Sequence, residues 1–164
     1  MTKARMAADM SRADEDELWR SGDVSLRPGF LIRRLHQIHT GLFLESCGEE
    51  NITPVMYSVL SCLSQNGPLD QTTLAKAVAI DKTNMTDILK RLMNRGYVIR
   101  EVADTDRRMR LTTLTAAGKA VLERTDPFAR DAHRRTLDAL SPQDRVRFTE
   151  MMMTIVAAAE NDAV

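Results

Sequence analysis

Apolar residues recur at three- and four-residue spacing through most of the chain, so the pattern predicts helices first. Pro28 can open a helix at its first turn, and Leu31, Leu35, Ile38 and Leu42 then share one face up to Cys47-Gly48. Thr53-Pro54 reads as a cap followed by proline at the first helical position, with Val55, Met56, Val59, Leu60 and Leu63 running to Asn66-Gly67-Pro68. Asp70 caps a third helix containing Leu74, Ala75, Ala77 and Val78. After an Ala79-Ile80 turn, Asp81 caps a fourth, whose Met85, Ile88, Leu89 and Leu92 face inward.

Gly96 ends that helix, and the period changes. Tyr97 to Arg100 reads as a strand, Ala103 to Arg108 as a charged turn, and Met109 to Leu114 as a returning strand. Thr115 then caps a long helix, expected to break or kink at Pro127 and to run on to about Leu140. Ser141-Pro142-Gln143-Asp144 starts the last helix, which carries Val146, Phe148, Met151, Met152, Ile155 and Val156. Helix, turn, helix and hairpin make a winged helix. The expected fold is mainly α with a small β-hairpin wing, a winged helix-turn-helix domain joined to further helices on either side.

Residues 1–26 read as a polar N-terminal arm, with a short helix at Glu15 to Arg20 whose Trp19 pins it to the body or to a partner subunit. Residues 27–50 then hold the first long helix, 51–114 the winged helix-turn-helix and 115–164 the C-terminal helices.

Composition narrows the function classes. With 43% hydrophobic and 28% charged residues in 164, the chain is an ordinary globular one. No run approaches the roughly 18 apolar residues of a membrane span, and the charged first sixteen residues predict no signal peptide, so a cytoplasmic, nucleoid-associated protein with no membrane partner is expected. Cys47 and Cys62 are too few and too far apart for a disulfide framework or a zinc knuckle. No convergent nucleophile, base and oxyanion donors are legible, so no enzyme is expected, and no cofactor. Net charge is zero, but residues 70–110 hold nine basic against six acidic side chains, +3, which leaves −3 for the rest. A local basic patch is what a nucleic-acid role needs.

Asp104-Thr105-Asp106-Arg107-Arg108 followed by Leu111-Thr112-Thr113-Leu114-Thr115-Ala116-Ala117-Gly118 resembles the wing and next-helix signature of the MarR family of bacterial winged-helix regulators. Asp81-Lys82-Thr83-Asn84-Met85-Thr86, with Arg91-Leu92 and Arg95-Gly96-Tyr97-Val98, is similar to the family's recognition helix and its exit. The resemblance runs from roughly Pro28 to the C-terminus. It implies a homodimer whose first and last two helices interlace, making 27–50 a dimerisation helix, 51–114 the DNA-binding region and 115–164 the C-terminal dimerisation helices of a helical dimerisation region, and whose winged helices read successive major grooves of a near-palindromic double-stranded operator.

On that reading Thr83, Asn84 and Thr86 reach base edges while Lys82 and Lys90 hold phosphates. Each threonine could equally be a helix-start residue bonding its own backbone. Asp87 departs from the family pattern and could accept from a cytosine amino group or pair with Lys90 or Arg91. In the wing, Arg108 enters a minor groove, Arg107 contacts phosphate and Asp106 holds the fork; the alternative is a solvated hairpin tip.

The family implies an effector pocket near the first helix. There His39, with Arg33 or Arg34, neighbouring His36 and Tyr57, would contact a small aromatic carboxylate by charge-assisted hydrogen bonds. An interface or core histidine is the competing reading. As a metal pair, His36 and His39 lack further ligands nearby. The expected function is a ligand-responsive repressor of an aromatic-compound catabolic operon, released by a small aromatic acid or its derivative. The alternative is a cysteine-based redox-sensing repressor, against which Cys47 and Cys62 read as buried structural thiols.

Overall fold

The computed structural model describes residues 23–102 and 110–161. After a 3-10 turn at Val24–Leu26 come α1 (Pro28–Cys47), a second 3-10 turn (Gly48–Glu50), α2 (Pro54–Asn66), β1 (Leu69–Asp70), α3 (Gln71–Ala77), α4 (Lys82–Asn94), β2 (Val98–Val102), β3 (Arg110–Leu114), α5 (Ala116–Thr136) and α6 (Pro142–Asn161). Two compact units divide within α1, between His39 and Thr40. The predicted arm helix with Trp19 and the predicted turn at Ala103 to Arg108 lie outside the described residues.

The helix starts follow the predicted caps. Thr53 Oγ1 accepts from Met56 N, Asp70 Oδ1 from Thr72 N and Thr73 N, and Asp81 Oδ1 from Thr83 N and Asn84 N at 2.8–3.3 Å. Their exits are equally local. After α4 the Tyr97 N–H returns to Leu92 O and the Gly96 N–H to Met93 O, around Gly96 at φ 70. The turn between α3 and α4 repeats this geometry, Ile80 N–H to Ala75 O and Ala79 N–H to Lys76 O, but with Ala79 at φ 54. A left-handed alanine costs about 1 kcal/mol, partly offset in a glycine by unfolded-chain entropy. Ala79→Gly is therefore expected to stabilise the protein by about 0.5 kcal/mol in urea titration; a loss of stability would contradict the strained turn.

The sheet exceeds the predicted hairpin. β2 pairs antiparallel with β3, Val98 opposite Leu114 through Val102 opposite Arg110, and β1 joins the other edge of β3, with Leu69 opposite Thr112 and Asp70 opposite Leu111. The strand expected at Tyr97 to Arg100 runs from Val98 to Val102. The helix after the wing also differs from expectation: α5 continues through Pro127 without interruption and stops at Thr136, short of Leu140. Proline removes one backbone donor there. Buried Ala129 and Ala132 beyond it and Val121 before it keep one packed face across the gap.

The second unit closes over one core, in which Phe43, Ile52 and Leu60 meet Leu74, Met85, Leu89 and Leu92, with Val98 and Val121 closing the side. Thr115 and Gly118 join the wing to α5. The Thr115 hydroxyl donates to Gly96 O at 2.7 Å, its N–H to Tyr97 O at 3.0 Å, and its Oγ1 accepts from Gly118 N at 3.0 Å. A β-carbon on Gly118 would sit 2.0 Å from Tyr97 O, so this Leu-Thr-x-x-Gly stretch needs its glycine for close approach.

Candidate nucleic-acid interface

Met85, Leu89 and Leu92 anchor α4 in the core, which turns Lys82, Thr83, Asn84, Thr86, Asp87 and Lys90 outward, all exposed. The predicted base- and phosphate-contacting residues on this helix thus share one accessible face. Its first turn is pinned by Asp81, whose carboxylate also accepts from Asn84 Nδ2. Hydrogen bonds from the backbone and side chain of Asn84, the backbone one the larger, hold the Asp81 carboxyl below the usual range. Thr86 bonds its own helix, its hydroxyl donating to Lys82 O at 3.0 Å, while also accepting from Gln71 Nε2 at 2.8 Å. Gln71 was not among the residues singled out in the sequence.

The wing stem is described up to the Val102–Arg110 pair. Asp106, Arg107 and Arg108 lie outside the described residues. At the stem, Arg100 stands opposite Thr112; Arg100 Nε and Thr112 Oγ1 are buried and have no hydrogen-bond partner among the described residues.

Of the predicted effector contacts, Arg33, Arg34, His36 and His39 lie on α1 in the first unit and Tyr57 on α2 in the second. The Arg33 guanidinium sits 5.5 Å from the Phe30 ring centroid, and Arg34 Nη1 donates to Gln37 Oε1 at 3.3 Å. Arg33 and Phe30 also line an open recess of about 480 Å³ with Val24, Arg27, Pro28 and Gly29. His36 is exposed and His39 half-buried. The Tyr57 ring packs against Phe43, centroids 5.7 Å apart, and its hydroxyl donates to Asp126 Oδ1 at 2.7 Å. Arg130 Nε donates to the other oxygen of Asp126 at 2.6 Å. Burial first, then the bond to Asp126, pushes the Tyr57 hydroxyl up, while that same bond and Arg130 hold the Asp126 carboxyl down. The Asp126 contribution to stability is present above the ordinary aspartate range and lost as pH falls through the lowered value.

The cysteines are free. Cys47 is buried, and desolvation pushes its thiol up, away from the thiolate that an oxidant-sensing site requires; Cys62 is half-buried. On α6 no residue is buried: Val146, Met151, Met153, Ile155 and Val156 are each at least half exposed. Among the described residues no group of three His, Cys, Asp or Glu could hold a metal ion, and no helix is long and apolar enough to cross a membrane.

The model of the MarR family matches residues 52–109. The chain is 30% identical over 139 residues to the HTH-type transcriptional repressor NicR of Pseudomonas putida, covering 85% of this chain and 88% of that one. Bordetella bronchiseptica BpsR, solved in a study of how 6-hydroxynicotinic acid regulates its DNA binding, superposes with TM-score 0.78 at 29% identity, over 82% of this chain and 96% of that one. The transcriptional repressor CouR, bound to a 23-mer DNA duplex, superposes with TM-score 0.76 at 28% identity over 84% and 97%.

Proposed function

The chain belongs to the MarR family, a family of DNA-binding regulators and not of enzymes, and on that premise we propose that it is a homodimeric repressor released from its operator by a small aromatic acid. The observation carrying the reading is the exposed face of α4, with Lys82, Thr83, Asn84, Thr86 and Lys90 outward over the buried Met85, Leu89 and Leu92. Short polar side chains flanked by lysines suit base edges between phosphates. The wing residues Asp106, Arg107 and Arg108 complete the interface in this proposal, in residues 51–114. Residues 27–50 and 115–164 serve dimerisation, which the apolar exposure of α6 supports.

Repression is proposed from the likeness to NicR, and the effector class from the likeness to BpsR. Arg33 and Arg34 would supply charged, and His36 and His39 ring N–H, hydrogen-bond donors for the effector carboxylate. Tyr57 has already donated its proton to Asp126, so it would offer a ligand only an oxygen lone pair and its ring face. Release requires that the acid bind the DNA-incompetent arrangement more tightly than the competent one.

Fluorescence anisotropy on the DNA upstream of the protein's own gene tests this, with hydroxybenzoates, cinnamates, their coenzyme A thioesters and hydroxynicotinates added in turn. Salt-sensitive binding released by one compound, with the response lost in His39→Ala, is expected. Binding untouched by every acid yet abolished by peroxide would replace the effector reading with one centred on Cys47 and Cys62.

A further inference from the structure

The bond between Gln71 and Thr86 joins two side chains that the sequence separates by fifteen positions, and it lies on the exposed side of the helix-turn-helix. A threonine hydroxyl has one proton and two lone pairs. Here the proton goes to Lys82 O at 3.0 Å and one lone pair accepts from Gln71 Nε2 at 2.8 Å. Two bonds in different directions fix χ1, so Thr86 keeps one rotamer and has no donor left for guanine O6 or N7 or for thymine O4. What it still offers a base edge is its methyl group and a single lone pair.

Gln71 is itself held in place. It is the first residue of α3, directly after Asp70, which caps that helix and pairs with Leu111 across the β1–β3 edge. The short strand β1 thereby positions the amide that orients a side chain on α4.

We propose that Gln71 is a specificity-determining positioning residue, which locks Thr86 so that its methyl group reads the 5-methyl of a thymine in each half-site. The inference rests on the DNA-binding reading above and adds to it which base class this turn of α4 selects and what sets that choice. Gln71 acts through Thr86, so its removal alters which base is preferred more than how tightly phosphate is held.

The test starts from a duplex selected by the purified protein from a random 30-mer library, in which each thymine is replaced singly by deoxyuridine. With the unaltered protein, one thymine per half-site is expected to lose about fourfold in affinity on losing its methyl, the worth of one buried methyl group. In Gln71→Ala, which leaves Thr86 only its bond to Lys82 O, that discrimination is expected to fall clearly below the parent's, with the thermal midpoint and the dependence of log affinity on log salt unchanged. Thr86→Val keeps a γ-methyl and is expected to retain the discrimination, whereas Thr86→Ser is expected to lose it. Equal thymine-over-uracil preference in Gln71→Ala and the unaltered protein, or its survival in Thr86→Ser, overturns the proposal, as does the absence of any methyl-sensitive thymine. A library yielding no preferred sequence would instead overturn the DNA-binding reading itself.

Discussion

Gly118→Ala is expected to destabilise the protein by about 3 kcal/mol, although the substitution improves intrinsic helix propensity by about 1 kcal/mol. Gly118 lies in the first turn of α5, where alanine would ordinarily help. The added carbon would meet Tyr97 O at 2.0 Å, Leu114 Cδ1 at 2.7 Å and Tyr97 C at 2.9 Å. Two of these atoms are backbone at the entry to β2, and Tyr97 O already accepts from Thr115 N, so neither can swing aside like the end of a side chain. The helix must back away from the strand, which opens the core at fully buried Val98 and Val121. Urea denaturation at fixed protein concentration measures the difference; a variant as stable as the parent would contradict this packing of α5 on the wing.

The second large effect concerns assembly. Ile155 is 69% exposed in the single chain, so Ile155→Glu should leave the fold of a monomer intact. In the proposed homodimer the same substitution places a carboxylate in an apolar interface formed in part by α6. The expected outcome is dissociation to monomers, seen by analytical ultracentrifugation, with unchanged helical content. Losing the linked second half-site should then weaken operator binding by about a thousandfold, within the range that bivalent linkage supplies. A variant that remains dimeric with unaltered operator affinity would assign that apolar surface to something other than a second copy.

What the sequence made legible was local. Thr53, Asp70, Asp81 and Thr115 could be recognised as caps because a cap is written within four residues, and each closes the helix start expected of it. The outward face of α4 followed from the same periodicity that buried Met85, Leu89 and Leu92. β1 escaped because two residues after Gly67-Pro68 cannot display a period of two; only pairing with β3, more than forty positions away, makes them a strand. Pro127 was expected to break or kink α5; the helix is not broken there, and buried Ala129 and Ala132 beyond it offset one missing hydrogen bond. The ties from Tyr57 to Asp126, from Gln71 to Thr86 and from Arg124 to Glu50 span from fifteen to seventy-four positions and leave no trace in local pattern. Two of them qualify the predicted sites: Thr86 enters the DNA-binding face, and Tyr57 the effector set, with a hydroxyl proton already committed.

Hydroxyl-radical and methylation footprinting of the selected duplex tests the central claim most directly. A dimer of winged helices with α4 in the major groove predicts two symmetric regions of guanine N7 protection one helical turn apart, about 10 base pairs centre to centre. A single protected region, or protection confined to the minor groove, would contradict the account.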